Sequence, residues 1–452
     1  MELLTLTDFI FAPVALLIIY VLARVYSIKK VKENPEFKYF LPGLRMKLFG
    51  GIGVCLVYTI YYPGGDTLQY YNDALCIVKL ALQSPGSAFH ILFYPYDPNS
   101  IWLFNSETGY PAYLRDKETW FVVKLAFPFV LLSFKSFVVS TILLATASFL
   151  GVWRLYRVFI LEFPQLEKQF AISIFFIPSV FFWGSGLLKD TFTLSAIGFL
   201  THSYYFSFIK KKKSFRYIIT FALSLFIILS IKPYIFIGLL PGMIFWMVHS
   251  LLAKIKGGIA RVAAIPLFVI LGIGSGYLLL NLLSSQLAEY SMDTVLEKAV
   301  IQQRDLKMDY YRGNSFDIGD FDPTIGSMAQ KAPAAIFATL FRPFILEVNN
   351  AVMFISSIEN LIVLIFTIRV LWMVRIIGIF RFLLKQHLLT FSLIFSFFFA
   401  FSVGISTSNF GSLVRYKIPC LPFYISALFI IRHLRQKEID ESKTLQLNFE
   451  NI

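Results

Sequence analysis

Residues 8–32 read DFIFAPVALLIIYVLARVYSIKKVK, an apolar run from Phe9 to Ala23 closed by Arg24, Lys29, Lys30 and Lys32. A spanning helix needs about 20 mostly apolar residues, and residues 8–27 supply them. Glu2 and Asp8 open the run, and its basic residues all follow. Lys and Arg collect on the cytoplasmic side of a membrane, so this order places the N-terminus outside and the next loop inside. It is also the reverse of a cleaved leader, which carries its positive charge ahead of the apolar stretch.

The same reading extends along the chain. Of 452 residues, 57% are hydrophobic and only 15% charged, with 50 Phe. Ordinary soluble domains are roughly 45–50% apolar and 25% charged. A soluble enzyme, a disordered chain and a fibrous one are therefore excluded. Ten further runs predict spans near residues 47–62, 136–155, 169–184, 187–208, 216–231, 234–252, 262–283, 350–372, 387–405 and 417–433. The expected fold class is all-α: a polytopic membrane protein of about eleven transmembrane helices, with the C-terminus cytoplasmic. Residues 1–433 form one transmembrane domain and 434–452 a cytoplasmic tail. Every predicted inner loop, or its flank, carries Lys or Arg, among them Arg157, Lys168, Lys254, Arg261, Arg381 and Arg435.

The net charge of +14 sits in such clusters, Lys210 to Lys213 for example, which points to topology rather than nucleic acid. Run 119–134 is excluded from the spans, because counting it would put Arg154 and Arg157 outside. Lys124 and Pro128 suit an interfacial or re-entrant helix on the outer face. Two long outer segments result, 63–135 and 284–349, against short inner loops. Function therefore falls on the outer side. Cys55, Cys76 and Cys420 form no CxxC pair, and the five His residues show no metal spacing. No metal ligands are assigned, although the outer carboxylates would also suit a divalent ion, Mg or Mn. The Gly-rich stretch 271–276 lies in an apolar span and reads as a packing face, not a nucleotide loop. No nucleotide-binding motif occurs.

Four outer constellations carry chemistry. The first begins Tyr61-Tyr62-Pro63-Gly64-Gly65-Asp66 and continues through Tyr70, Tyr71 and Asp73. Pro-Gly-Gly ends the second span, and Asp66 falls where a helix N-cap is expected. With 67–82 helical, Asp66, Tyr70 and Asp73 share one face. A carboxylate there suits a general base toward a hydroxyl; the plainer alternative is a cap and a solvated acid. The second is Arg342-Pro343-Phe344-Ile345-Leu346-Glu347, with Glu359 deeper in the span. Arg342 at the membrane boundary suits a lipid-linked phosphate, with Glu347 pairing or orienting; a structural ion pair is the alternative. Glu359 must face the bundle interior, and few other intramembrane charges are evident. The third holds Arg415 and Lys417, positive on the outer face against the general bias, as an anionic substrate would require; snorkelling is the alternative. The fourth is the turn Gly184-Ser185-Gly186 leading to Lys189 and Asp190, with Lys232 in the next outer turn. Either lysine would attend a phosphate or simply mark a helix end.

This arrangement resembles the GT-C superfamily of membrane glycosyltransferases, which place an acidic residue in a long first outer loop beside amphipathic "jaw" helices. The resemblance covers about the first 280 residues as architecture. It implies that Asp66 is the acidic catalytic residue, that 67–82 and 119–134 are the jaw helices, and that the donor is a polyprenyl-phosphate-linked sugar. The family usually has its N-terminus inside, with the acidic loop after its first span, so this chain would need one extra N-terminal span. The segments around Arg342 and Arg415 also look like those of uncharacterised polytopic membrane proteins of Bacteroidetes. O-antigen and exopolysaccharide polymerases of the Wzy and EpsG kind are the rival resemblance. A non-catalytic transporter or flippase of lipid-linked glycan is the third expectation. The expected location is a bacterial inner membrane, with membrane lipids and a lipid-linked glycan as partners. In the first reading Asp66 and Asp73 are catalytic; Tyr70, Lys189, Arg342, Glu347, Arg415 and Lys417 bind substrate.

Overall fold

The computed structural model describes residues 4–62, 64–252 and 315–450, together with positions 297, 300, 301, 303 and 305. The expected span 262–283, the Gly-rich stretch 271–276 and most of the segment from 284 to 314 lie outside the described residues.

The regular secondary structure of the described residues is helical, apart from one isolated bridge between Ser315 and Asn409. Its helices are α1 (Leu6–Val31), α2 (Phe40–Leu56), α3 (Asp66–Gln83), α4 (Pro85–Phe93), α5 (Lys117–Leu132), α6 (Phe137–Glu162), α7 (Glu167–Phe175), α8 (Pro178–Trp183) and α9 (Lys189–Tyr204). They continue as α10 (Phe215–Ile231), α11 (Pro233–Leu252), α12 (Ile325–Gln330), α13 (Ala332–Phe341), α14 (Ala351–Lys385), α15 (His387–Ser406), α16 (Phe410–Tyr416) and α17 (Leu421–Glu450). Among the described residues five stretches are long and apolar enough to cross a membrane: Leu6–Val31, Pro35–Tyr61, Phe137–Glu162, Ala351–Val374 and His387–Ser406. A sixth forms if α16 and the start of α17, bent by 65°, count as one. The protein is thus an all-helical one with several membrane-length apolar helices.

Exposure supports an apolar surrounding. Only 17% of the apolar window of α1 is buried, against 72% for α6. Leu6, Phe9, Leu17 and Leu22 all point outward from α1. A helix that is apolar on its outer face is at home in lipid.

One expected span takes another form. Residues 169–184 do not make one helix: α7 stops at Phe175, and α8 starts at Pro178. The proline disfavours helical backbone at Ile177, which ends α7 early. Residues 187–208 form the 16-residue α9, which runs into a π-helical turn, Tyr205–Ile209. The runs at 216–231 and 234–252 form α10 and α11, shorter apolar helices.

The residues group into two compact units. The first comprises 1–157, 179–203 and 215–233. Here α3 packs along α5, burying Tyr70, Ala74 and Ile77 beside Trp120, Val123 and Ala126. The α6 and α9 backbones meet at Gly151 and Gly198. A Cβ at Gly198 would stand 2.0 Å from the Gly151 carbonyl oxygen, so no larger residue fits. The second unit comprises 158–178, 204–214 and 234–452. Its core packs Trp246, Phe391, Phe395 and Phe423 in tilted and edge-on contacts, with Phe159 edge-on to Phe423.

Candidate functional site

The first unit builds its polar cluster from the end of a span. The α2 span closes with a π-helical turn, Val57–Tyr61, in which the Thr59 hydroxyl donates back to the Cys55 carbonyl at 2.8 Å. Gly64 and Gly65 then take φ values of 122° and 98°. A Cβ at Gly65 would lie 2.7 Å from the Tyr58 ring, and its φ is one that only glycine adopts readily. Gly65 is the residue at the N-cap position, and Asp66 is the first residue of α3. This corrects the expectation that Asp66 is the cap. The half-buried Asp66 carboxylate still gains from the positive end of the helix.

Asp66, Tyr70 and Asp73 meet one partner, Tyr113, in the 3-10 turn Ala112–Arg115. The Tyr113 hydroxyl donates to Asp66 Oδ1 at 3.4 Å, and its ring lies 5.2 Å from the Tyr70 ring. Asp73 is buried. Its Oδ1 accepts from Gln69 Nε2 at 2.6 Å and from the Ala112 N–H at 3.1 Å; its Oδ2 accepts from the Tyr113 N–H at 2.7 Å. Burial pushes the Asp73 carboxyl above the usual value, although these three hydrogen bonds oppose it. Asp73 therefore holds the turn that carries Tyr113, and both of its oxygens are engaged.

A basic group completes this cluster. Asp116 caps α5, accepting from the Glu118 and Thr119 N–H groups at 3.1 Å each and from the Thr119 hydroxyl. Partial desolvation works against its ionisation. The Thr119 hydroxyl, the Thr119 N–H, the nearby Lys189 charge and the Glu118 N–H prevail and hold it below the usual carboxylate value. The half-buried Lys189 donates to the same Thr119 hydroxyl at 2.7 Å. Asp116, Glu118, Lys232 and Asp66 all lie within its electrostatic reach. Its neighbour Asp190 points the other way, into a buried ion pair with Lys232 at 2.6 Å. Lys232 is thereby tied to a partner in the bundle. Tyr113, Asp116 and Glu118 carry no expectation from the sequence. Asp116 was legible as a cap, three residues before Thr119 at the start of an apolar run. Tyr113 gave no local signal, since 47 residues separate it from Asp66.

The second unit holds the other expected residues. The Arg342 fork is filled by Glu347, with Nε at 3.0 and 3.2 Å from the two carboxylate oxygens and a further bond from its terminal nitrogen. The guanidinium also lies 5.1 Å from the Phe316 ring and 5.3 Å from the Phe410 ring. The pair is local, between residues five apart in one turn, and does not tie two helices together. Lys417, expected on the outer face, is fully buried. Its ammonium donates to Asn360 Oδ1 and, at 3.3 Å, to the Arg342 carbonyl, while Asn360 Nδ2 donates to the Pro343 carbonyl at 3.1 Å. Lys417 therefore fixes the Arg342–Pro343 turn and is not placed at an open surface. Arg415 is half-buried on α16, and Glu359 is buried near Lys417.

Buried charge is richer than expected. Lys47, on α2, is buried and donates to the Gly184 carbonyl just past the end of α8. That contact places a cation at a helix C-terminus, where it is favoured. Lys47 stands at the first position of the expected span 47–62 and carries no expectation from the sequence. Among the described residues no three His, Cys, Asp or Glu side chains converge as metal ligands, and all three cysteines are free. Set against protein-family models, curated proteins and solved structures, the chain matches none.

Proposed function

We propose that the protein is an integral-membrane glycosyltransferase of the GT-C kind, with eleven spans in a bacterial inner membrane and its active site at the periplasmic face. One observation carries this reading: Asp66, Tyr113 and Lys189, distant in sequence, gather at the starts of α3 and α9 in one unit. Asp66 takes the proton of an acceptor hydroxyl. The acceptor oxygen bonds to the anomeric carbon as the bond from that carbon to the lipid phosphate breaks. Lys189 faces the negative charge that develops on the departing phosphate. Tyr113 orients Asp66. Its 3.4 Å contact is long for a hydroxyl bond, as catalytic contacts often are before substrate arrives. Asp73 positions Tyr113 and does not itself meet substrate.

The test is glycan analysis of cells carrying Asp66→Asn, Arg415→Ala or no protein, with expression checked. Loss of one sugar from a glycan in Asp66→Asn supports the transferase. Chains cut to single repeats, with Arg415→Ala the worse lesion, support a polymerase instead.

A transporter of lipid-linked glycan is the second reading. It is favoured by the buried charges Lys47, Asp190, Lys232, Glu359 and Lys417. It predicts that Asp66→Asn keeps the glycan and that Lys47→Ala or Glu359→Gln lowers its export.

A further inference from the structure

Residues 81–96 read ALQSPGSAFHILFYPY and contain no Asp, Glu, Lys or Arg. They lie between two membrane-length helices, outside both. The helix they form, α4, buries Ala88 and Ile91 on its inner face. The outer face of such a helix normally carries charge. Here it presents Phe89 and Phe93, one turn apart, with ring centroids 4.8 Å from each other. Phe93 is 71% exposed, and Trp102, in the following 3-10 turn Pro98–Leu103, is 76% exposed. Leu82, Tyr94 and Tyr110 are exposed as well. Gln83 ties the loop after Trp102 to the end of α3, through Glu107 at 2.7 Å and Asn105 at 3.2 Å.

A helix with large apolar side chains on its exposed face as well as its buried one belongs in an apolar surrounding. We propose that the outer leaflet of the bilayer is that surrounding, and that residues 82–110 rest in the membrane interface. Three observations favour lipid over a protein partner. The segment belongs to the connection between two membrane-length apolar helices, which end at Tyr61 and begin at Phe137, so a bilayer around those helices keeps the connection near one of its surfaces. Its exposed rim is Tyr94, Trp102 and Tyr110, side chains with an apolar body and a polar tip that settle at the headgroup level. Residues 81–110 contain no Lys or Arg, so the attraction is apolar and requires no anionic lipid.

The test uses the full chain in phosphatidylcholine nanodiscs, in a Cys76→Ala background where Cys55 and Cys420 are buried. Phe93→Cys and Trp102→Cys are each labelled with an environment-sensitive fluorophore, beside Lys213→Cys in an exposed polar loop. At Phe93 and Trp102 the expected result is blue-shifted emission, strong quenching by lipid bearing a nitroxide near its headgroup, and weak quenching by iodide. Lys213 gives the reverse. Iodide quenching at Phe93 equal to that at Lys213 overturns the proposal, because the face then meets water. Shielding from both quenchers also overturns it, because a second copy of the chain then covers the face.

Discussion

At the scale of single residues, the two acids of α3 do different work although they share a face. Asp73 is enclosed and binds two backbone N–H groups of the 112–115 turn. Asp73→Ala strands those donors and is expected to cost about 1–3 kcal/mol, seen as a lower midpoint of thermal unfolding in detergent. Because burial raises the Asp73 carboxyl, its contribution is full at acid pH and fades as pH rises through its folded value. Asp116 has the opposite sign. Its carboxyl is held below the usual value, so its contribution is present above about pH 4 and is lost as pH falls through the folded value. The stability gap between wild type and Asp116→Asn should close on acidification below that point. A gap that stays constant from pH 7 to pH 3 would refute the assignment.

Elements decide how those residues are delivered. The π-helical turn and the Gly64–Gly65 pair swing the chain from the α2 span into α3 with Asp66 leading. Gly65→Ala forces a Cβ into the Tyr58 ring at a left-handed φ. Strain of that kind costs about 1–3 kcal/mol. The expected outcome is lower stability and, on the proposed transferase reading, loss of the sugar that the protein adds, because Asp66 and Tyr113 no longer meet. Retention of both would show that the turn is dispensable. Pro-Gly-Gly marked this turn in the sequence. The break at Pro178 was marked too, yet the apolar run around it reads as one span. Hydropathy records composition, and it does not register where backbone geometry divides a helix.

For the whole molecule, the expectation from the charge pattern is an N-terminus outside and a C-terminus inside. An epitope tag before Met1 should be reached by antibody in intact cells whose outer envelope has been opened. A tag after Ile452 should be reached only once the inner membrane is permeabilised. Equal accessibility of the two tags would overturn the eleven-span order.

The sequence by itself determined the apolar, all-helical character and most helix positions, because the length and polarity of a run are local properties that lipid selects directly. It also placed Asp66, Tyr70 and Asp73 on one face, since helical periodicity is local. Tertiary structure decided what those side chains touch. Tyr113 reaches Asp66 across 47 residues, Lys189 reaches Thr119 across 70, and Lys417 is buried against Asn360 across 57. Such pairs depend on how helices pack, where small residues such as Gly151 and Gly198 set the approach. Charge and spacing along the chain carry no record of that approach. Lys417 therefore reads in sequence as an outer-face cation for an anionic substrate and Lys47 carries no expectation, yet both are buried and hydrogen-bonded in the fold.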